Sequence, residues 1–557
     1  MRALADLDVL IVDCQTTGAS PAFGCVLELG WGVTRANRDE LAGAEAHWIV
    51  LPEGQRVPRQ VQKITGYEPA HAAQALPDSD AWSRLRQAVQ GAAAAPTAIH
   101  YARFELAFLR EWSTRFDPQG PFPFDAVCVH AIATRLYPDL PRQSLRALSG
   151  YLGHSLDLAR RSLGHVEATA FVWRSLCAEL ARRDIVTWEQ LQAWLSERTQ
   201  AKPRSKKPRY PLATERYKSL PDAPGVYRFL RSNRDLLYVG KAASLKKRVT
   251  GHFVGRASKQ LAPEMLTQVS EIEFALAASA LEAALLENAT IKALRPPYNV
   301  QLTTVDQRVW YSTREFDAAA PTHDARYSVG PLPSQYSLRP LAALIALSSG
   351  APPNPQLRSH AVGVSDLWTP DETVFAAGWA ELLSRHTDAL ALARSRPRHG
   401  ALQLARKLLL ASPNKAAEAG ESDDKPEGWD AERVARHIER AAAQAYQVYR
   451  RGRWLQLLHD CDIVYREPGS SQARLLLMRD GVLTAALDVA PDWTPSERSR
   501  PLPPRPLASF DRAKYDGLRV LTSELKRIVR DGGQLAVHFA PGRSVSKRLL
   551  PGLLRLI

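Results

Sequence analysis

The sequence predicts an α/β protein of several domains: a mixed sheet with helices at the N-terminus, a small central α/β domain and a C-terminal α+β region. Three observations lead there. Short apolar runs at residues 9–12, 25–34 and 47–51 have the length of consecutive strands. Helical spacing follows at Trp82, Leu85 and Val89, and again from Phe104 through Leu106, Phe108 and Leu109 to Trp112. Strands first and helices later make a layered structure, and 557 residues leave room for roughly three to four domains of ~150 residues each.

Apolar residues make up 45% and charged residues 24% of the chain, the averages of soluble proteins, which excludes a wholly disordered, collagen-like or membrane-embedded class. Lys and Arg number 73 against 58 Asp and Glu, a formal +15 that suggests a polyanionic partner. The excess is local. Residues 1–180 carry 17 basic and 19 acidic side chains, residues 181–300 carry 21 and 11, and the remainder 35 and 28. The five cysteines (Cys14, Cys25, Cys128, Cys177, Cys461) include no C-x-x-C pair, which argues against a zinc site or a disulfide framework and fits a reducing cytosol. No stretch approaches the roughly 18 apolar residues of a membrane span, so a cytoplasmic chain with no membrane contact is expected.

Two linkers divide the sequence. Residues 201–218 hold seven Lys or Arg, one Glu and three prolines, an extended basic tether. Residues 412–428 are rich in Ala, Gly, Glu, Asp and Pro without apolar period, and are expected to set off a C-terminal module. The expected organisation is therefore 5–180, a linker region 181–218, a domain 219–302, an extension 303–411, a linker 412–428 and a module 429–557.

The stretch Ile11-Val12-Asp13-Cys14-Gln15-Thr16-Thr17-Gly18, followed by Val26-Leu27-Glu28-Leu29-Gly30, Ile64-Thr65-Gly66, His100-Tyr101-Ala102-Arg103-Phe104-Glu105 and Glu167-Ala168-Thr169-Ala170, resembles the DEDDh 3′→5′ exonucleases. This is the proofreading family like DNA polymerase III epsilon, and the likeness over residues 5–180 implies an RNase H-like fold. It also implies two divalent cations held by four carboxylates, with a histidine as general base. Here only Asp13 matches the acids unchanged: Gln15 replaces a glutamate, Glu105 an aspartate, His165 the last aspartate, and Arg160 stands at the histidine. A two-metal site needs anionic oxygen ligands, so the expectation is a retained fold with lost catalysis. Asp157 and Glu167 are the substitute acids nearby, though Glu167 would face elsewhere on a helix.

Residues 220–229, Leu-Pro-Asp-Ala-Pro-Gly-Val-Tyr-Arg-Phe, and 236–242, Leu-Leu-Tyr-Val-Gly-Lys-Ala, flank a polar turn at Ser232-Asn233-Arg234-Asp235 and read as a hairpin able to bring Tyr227 and Tyr238 to one side. A leucine-led basic helix follows with Lys246, Lys247, Arg248 and His252, then an amphipathic helix around Leu281, Leu285 and Leu286 that carries Glu287, then Arg295-Pro296-Pro297-Tyr298-Asn299. These five blocks resemble the GIY-YIG endonuclease domain in its UvrC and Cho branch, over about residues 216–302. The resemblance implies Glu287 as the sole protein ligand of Mg²⁺ or Mn²⁺, Tyr227 and Tyr238 as groups that position and deprotonate water, and Lys241 as a charge lowering the tyrosine pKa. It implies further that Arg248 clamps the phosphate, that His252 fills a position of Tyr or His, and that Asn299 gives structural support. Lys246, Lys247 and Arg256 would meet backbone phosphates.

Beyond residue 302, helical spacing at 402–410 and 431–448, a hairpin at 474–489 turning at Asp480-Gly481 and an amphipathic helix at 510–527 are expected. No second nuclease pattern and no helix-hairpin-helix pattern follow. The leading expectation is a metal-dependent endonuclease that nicks one DNA strand in nucleotide excision repair, in a bacterial cytoplasm at the nucleoid, with UvrA/UvrB-type proteins as partners. The alternatives are a noncatalytic DNA-binding scaffold and a proofreading-type 3′→5′ exonuclease.

Overall fold

Strand β1, Val9–Thr16, alternates between two cores. Val9 and Ile11 enter one apolar cluster, while Leu10, Val12 and Cys14 enter another, because successive side chains of a strand leave on opposite faces. Asp13 and Gln15 therefore share the face of Val9 and Ile11. The computed structural model describes residues 2–89, 94–154, 160–197, 209–254, 263–299, 308–364, 368–388, 395–411, 428–490, 493, 508–539 and 543–545. The chain divides into two compact units, Met1–Ala283 with Leu294–Val300, and Ala284–Ala293 with Gln301–Ile557.

In the first unit β1 is followed by β2 (Val26–Thr34), β3 (Leu41–Trp48), α1 (Arg59–Thr65), α2 (Asp78–Ala88), β4 (Ala95–Ile99) and α3 (Ala102–Phe116). Then come β5 (Phe124–Cys128), α4 (Val129–Leu136), α5 (Leu145–Tyr151), α6 (Ser162–Ala181) and α7 (Trp188–Ser196). The sheet order is β3-β2-β1-β4-β5, with β1–β3 antiparallel and β4 and β5 parallel to β1. This is the mixed sheet of an RNase H-like fold. Helices α2 and α3 cover the face of Leu10 and Val12; α4, α6 and α7 cover the other. The apolar run 47–51 catches only the end of β3. That strand is an edge strand, mostly exposed, built from Leu-Ala-Gly-Ala-Glu-Ala-His-Trp, so no alternating apolar face marks it.

The same unit continues with α8 (Thr214–Lys218), β6 (Gly225–Leu230), β7 (Leu236–Ala242), α9 (Leu245–Phe253), α10 (Pro263–Leu266), β8 (Glu271–Leu276) and the start of α11 (Ala280–Leu294). The order β7-β6-β8 is antiparallel throughout. Leu245, Val249 and Phe253 of α9 share one apolar cluster with Tyr227 and Phe229, the apolar stripe that the leucine-led spacing implied.

The second unit contains β9 (Trp310–Ser312), β10 (Ala319–Ala320) and β11 (Val329–Leu332), then α12 (Arg339–Ser348), α13 (Pro355–Val362), α14 (Glu372–Arg385), α15 (Pro397–Ala411) and α16 (Ala431–Leu458). It ends with β12 (Cys461–Arg466), β13 (Ala473–Arg479), β14 (Val482–Val489), α17 (Arg512–Arg530), β15 (Gln534–Phe539) and β16 (Arg543–Val545), an antiparallel sheet of order β14-β13-β12-β15-β16. The β13–β14 turn lies at Asp480 (φ 51°) and Gly481 (φ 73°), as the Asp-Gly pair demands. One expected boundary changes. Val434, Ile438 and Ala442 of α16 share a core with Leu341, Phe375 and Ala405 of α12, α14 and α15, so the polar stretch before residue 429 separates sequence without separating cores. Most of that stretch, the linker residues 198–208, Asp157, Arg256 and residues 300–302 lie outside the described residues.

Candidate active site

The β6–β7 register sets Tyr227 opposite Gly240 and Phe229 opposite Tyr238. Residues 227 and 229 lie on one face, and cross-strand partners share it, so both tyrosines project to the same side, their rings 6.1 Å apart and tilted by 46°. Gly240 is required by this packing. A Cβ there would stand 2.5 Å from Tyr227 Cζ and hydroxyl and 2.8 Å from Tyr238 Cε1. The glycine of the second motif thus makes room for the tyrosine of the first.

The Tyr227 hydroxyl meets His252 Nε2 at 2.7 Å. His252 is on the last turn of α9, whose N-terminus is capped by the Ser244 hydroxyl accepting the Lys247 N–H at 3.2 Å. Burial, with the charge of Arg248 second, lowers the His252 pKa to about 4, so the imidazole is neutral near pH 7. Arg248 stands one turn before His252 on the same helical face. Lys241 pairs with Val226 at the end of β7, and alternation sets it on the face opposite Tyr238. Lys246 and Lys247 are exposed on the first turn of α9, and Lys247 Nζ lies 3.4 Å from Asp222. Asn299 is buried. Its Oδ1 accepts the Val239 N–H at 2.9 Å and its Nδ2 donates to the Val239 carbonyl at 2.8 Å, fixing the backbone between Tyr238 and Gly240.

Glu287 is half-buried on α11, in the stretch that groups with the second unit. Five residues on, Lys292 makes a buried ion pair with Asp516 of α17 at 2.6 Å, and Arg512 reaches the same carboxylate at 3.0 Å. This anchor of the Glu287 helix escaped sequence reading, since nothing local couples Lys292 to a residue so far along the chain. Among the described residues no three His, Cys, Asp or Glu side chains are arranged to hold a metal. A single carboxylate with waters completing the octahedron is a mode Mg²⁺ accepts, and it suits one glutamate on a helix.

In the N-terminal domain Asp13 Oδ1 lies 3.2 Å from His165 Nδ1, and Glu105 Oε2 accepts the Cys14 N–H at 3.1 Å. Burial, and next the charge of Asp13, hold the Glu105 carboxyl well above its usual range. Gln15 Nε2 donates to the Arg160 carbonyl at 2.6 Å. The structure brings Asp13, Gln15, Glu105 and His165 together; Arg160 contributes its backbone, and its side chain is exposed. Glu167 is exposed on α6. Glu28, fully buried opposite Gln15, accepts the Ser162 N–H at 2.9 Å and pairs with Arg161, fixing the start of the helix that carries His165. Its place beside Gln15 follows from the register, which the sequence motif alone does not specify.

Residues 223–300 match the family model for the UvrC-like GIY-YIG domain. The UvrABC system protein C of Rhizobium etli is 48% identical over 91 residues, 16% of this chain and 13% of its own length. A Mycobacterium tuberculosis protein, provisionally named a bifunctional exonuclease/endonuclease, is 29% identical over 364 residues, 62% of this chain. That match spans about half of the relative's length, 53%. Among solved structures, the GIY-YIG N-terminal endonuclease domain of UvrC from Thermotoga maritima bound to magnesium is 29% identical, covering 15% of this chain and 93% of that one at a TM-score of 0.14. Exonuclease I of E. coli with a dA16 oligonucleotide is 17% identical, covering 40% and 48% at a TM-score of 0.29. No helix among the described residues is long and apolar enough to cross a membrane. With the hairpin, its paired tyrosines and Asn299 in place, residues 223–300 are a UvrC-like GIY-YIG domain that follows an RNase H-like domain in the same chain.

Proposed function

We propose that this chain is a metal-dependent DNA endonuclease that nicks one strand, as in the incision step of nucleotide excision repair. The observation that carries the reading is the buried hydroxyl–imidazole pair of Tyr227 and His252 at 2.7 Å. The neutral imidazole holds the buried Tyr227 phenol in place, while Tyr238, half-buried on the same face, is the tyrosine that can reach the attacking water at hydrogen-bond distance and orient it. Arg248 supplies positive charge where the pentavalent phosphate develops negative charge. Lys241, on the face of β7 opposite both tyrosines, is given no part in this step. Glu287 would hold a Mg²⁺ or Mn²⁺ ion, which when bound polarises the phosphate and stabilises the leaving 3′ oxygen.

The RNase H-like domain is proposed to be noncatalytic and to bind DNA or a protein partner, since Gln15 and His165 replace acids that a two-metal site needs. DNA is the proposed substrate, UvrA/UvrB-type damage-recognition proteins the proposed partners, and a bacterial cytoplasm at the nucleoid the proposed location. Supercoiled plasmid nicking with Mg²⁺ or Mn²⁺, with and without such partners, tests the reading. Glu287→Gln should lose metal-dependent nicking and keep DNA affinity; undiminished nicking by this variant rejects the assignment.

A further inference from the structure

The two domains of the first unit meet at the beginning of α5. Ser144, its N-cap, accepts the Ala147 N–H at 3.3 Å and donates its hydroxyl to Glu264 Oε2 at 2.9 Å. Arg146 approaches Glu264 Oε1 at 3.8 Å and lays its guanidinium 4.3 Å from the centre of the Tyr298 ring. The Tyr298 hydroxyl donates to the same Oε1 at 3.1 Å and accepts from Gln268 Nε2 at 2.7 Å. Gln268 Oε1 accepts from buried Arg231 at 3.1 Å. A second contact grips the turn between β6 and β7, where Asn233 Nδ2 donates to the Gly153 carbonyl at 2.9 Å. The approach is close: a Cβ on Gly150 would fall 1.9 Å from Gln268 Oε1.

These contacts lead to the candidate active site by a short path. Tyr298 precedes Asn299, whose amide brackets Val239, and Val239 lies between Tyr238 and Gly240. We propose that α5 of the RNase H-like domain is a positioning surface for the nuclease hairpin. It sets Tyr298 through Glu264, and through Asn299 the strand that carries Tyr238. Glu264 is the central group, since it accepts two hydroxyls and faces a guanidinium; without it two partly buried donors lose their acceptor, which costs free energy at this seam. Ser144, Arg146, Glu264 and Tyr298 are positioning residues that act through Asn299. A domain whose own acids are altered thereby serves as a fixed support for the neighbouring site. The inference rests on the function proposed above for its consequence in incision, but the structural coupling stands apart from it.

The test uses the full chain with Glu264→Ala, Glu264→Gln and Gly150→Leu. Amide hydrogen exchange of residues 236–242 reads the coupling without activity, and plasmid nicking reads its consequence. Glu264→Ala and Gly150→Leu should speed exchange at Val239 and Gly240 by about tenfold, while exchange in β1 stays as in the wild type. Nicking kcat should fall by about tenfold with KM for DNA unchanged, and Glu264→Gln, which still accepts a hydroxyl, should restore much of both. Unchanged exchange at 236–242 in Glu264→Ala overturns the proposal even if Gly150→Leu fails to fold. A wild type that nicks no DNA would count against the proposed function alone, because the exchange result still decides the coupling.

Discussion

The Tyr227 hydroxyl and His252 Nε2 stand 2.7 Å apart with both residues out of solvent. Strand and helix bring them together: Tyr227 faces inward from β6 because residue parity matches Phe229, and His252 faces inward from α9 because it falls in the stripe of Leu245, Val249 and Phe253. Burial keeps the imidazole neutral, and a neutral imidazole nitrogen can accept the hydrogen bond of the phenol.

The pH dependence of stability follows. Folded His252 has its pKa lowered to about 4 from 6.5, so between those values the unfolded chain binds a proton that the folded chain refuses. Its contribution is complete above about pH 6.5 and is lost as pH falls towards 4, a change of about 3 kcal/mol over the full interval. Urea unfolding at pH 7 and pH 4.5 should show wild type losing more stability than His252→Phe. Equal losses would mean that the imidazole is not held neutral by the fold. His100, lowered to about 3 by burial, contributes the same slope in both proteins and cancels.

Gly240→Ala should damage the site through Tyr227. The added Cβ, 2.5 Å from the Tyr227 hydroxyl, meets the side chain whose position the chemistry needs, and overpacking of this kind costs about 1–3 kcal/mol. A lower urea midpoint, together with a larger fall in nicking rate than in DNA affinity, is expected. An unchanged midpoint would show that the ring moves without cost.

These two residues also mark how far sequence reading reached. The hairpin and the common side of its tyrosines were legible because strand parity is a local rule, whereas His252 was singled out by the family resemblance alone. The pairing of Lys292 with Asp516 and of Ser144 with Glu264 was not, because tertiary packing brings together residues that carry no shared pattern. At the N-terminal site the substitutions themselves were legible. Their geometry was not: Arg160 matters through its carbonyl, which accepts from Gln15, and no motif reports what a backbone oxygen does. Strand β3 was half missed for the opposite reason, since an exposed edge strand has little apolar text to read.

The first turn of α9 is expected to carry phosphate contacts. Lys246 and Lys247 are exposed beside each other, and the Lys247 pair with Asp222 at 3.4 Å is a surface ion pair that DNA can replace at little cost. Each lysine that neutralises one phosphate contributes about 0.9 to the slope of log affinity against log salt. Fluorescence anisotropy of a labelled duplex across salt should show Lys246→Ala lowering that slope by about one, with little change between sequences. An unaltered slope would move the DNA path away from α9.

Gln15→Glu, which restores the acid of the exonuclease pattern, should destabilise the N-terminal domain rather than revive it. The Gln15 amide donates to the Arg160 carbonyl at 2.6 Å from a buried position; a carboxylate there has no proton to give and faces an oxygen, with Asp13 on the same strand face. Losing the bond and leaving the group unsatisfied costs about 1–3 kcal/mol. The new carboxyl would be driven above its ordinary range, so the folded state holds a proton that the unfolded state releases, and the loss grows as pH rises from 5 to 8. Mn²⁺ should not rescue the variant, because His165 still occupies Asp13 Oδ1 at 3.2 Å. Urea unfolding at both pH values with and without Mn²⁺ checks this, alongside release of nucleotides from a 3′-recessed duplex by Glu287→Gln and by the same chain carrying Gln15→Glu. Stabilisation by Mn²⁺ with nucleotide release would show that the acids near Asp13 still form an exonuclease centre, and the noncatalytic reading of this domain would be wrong.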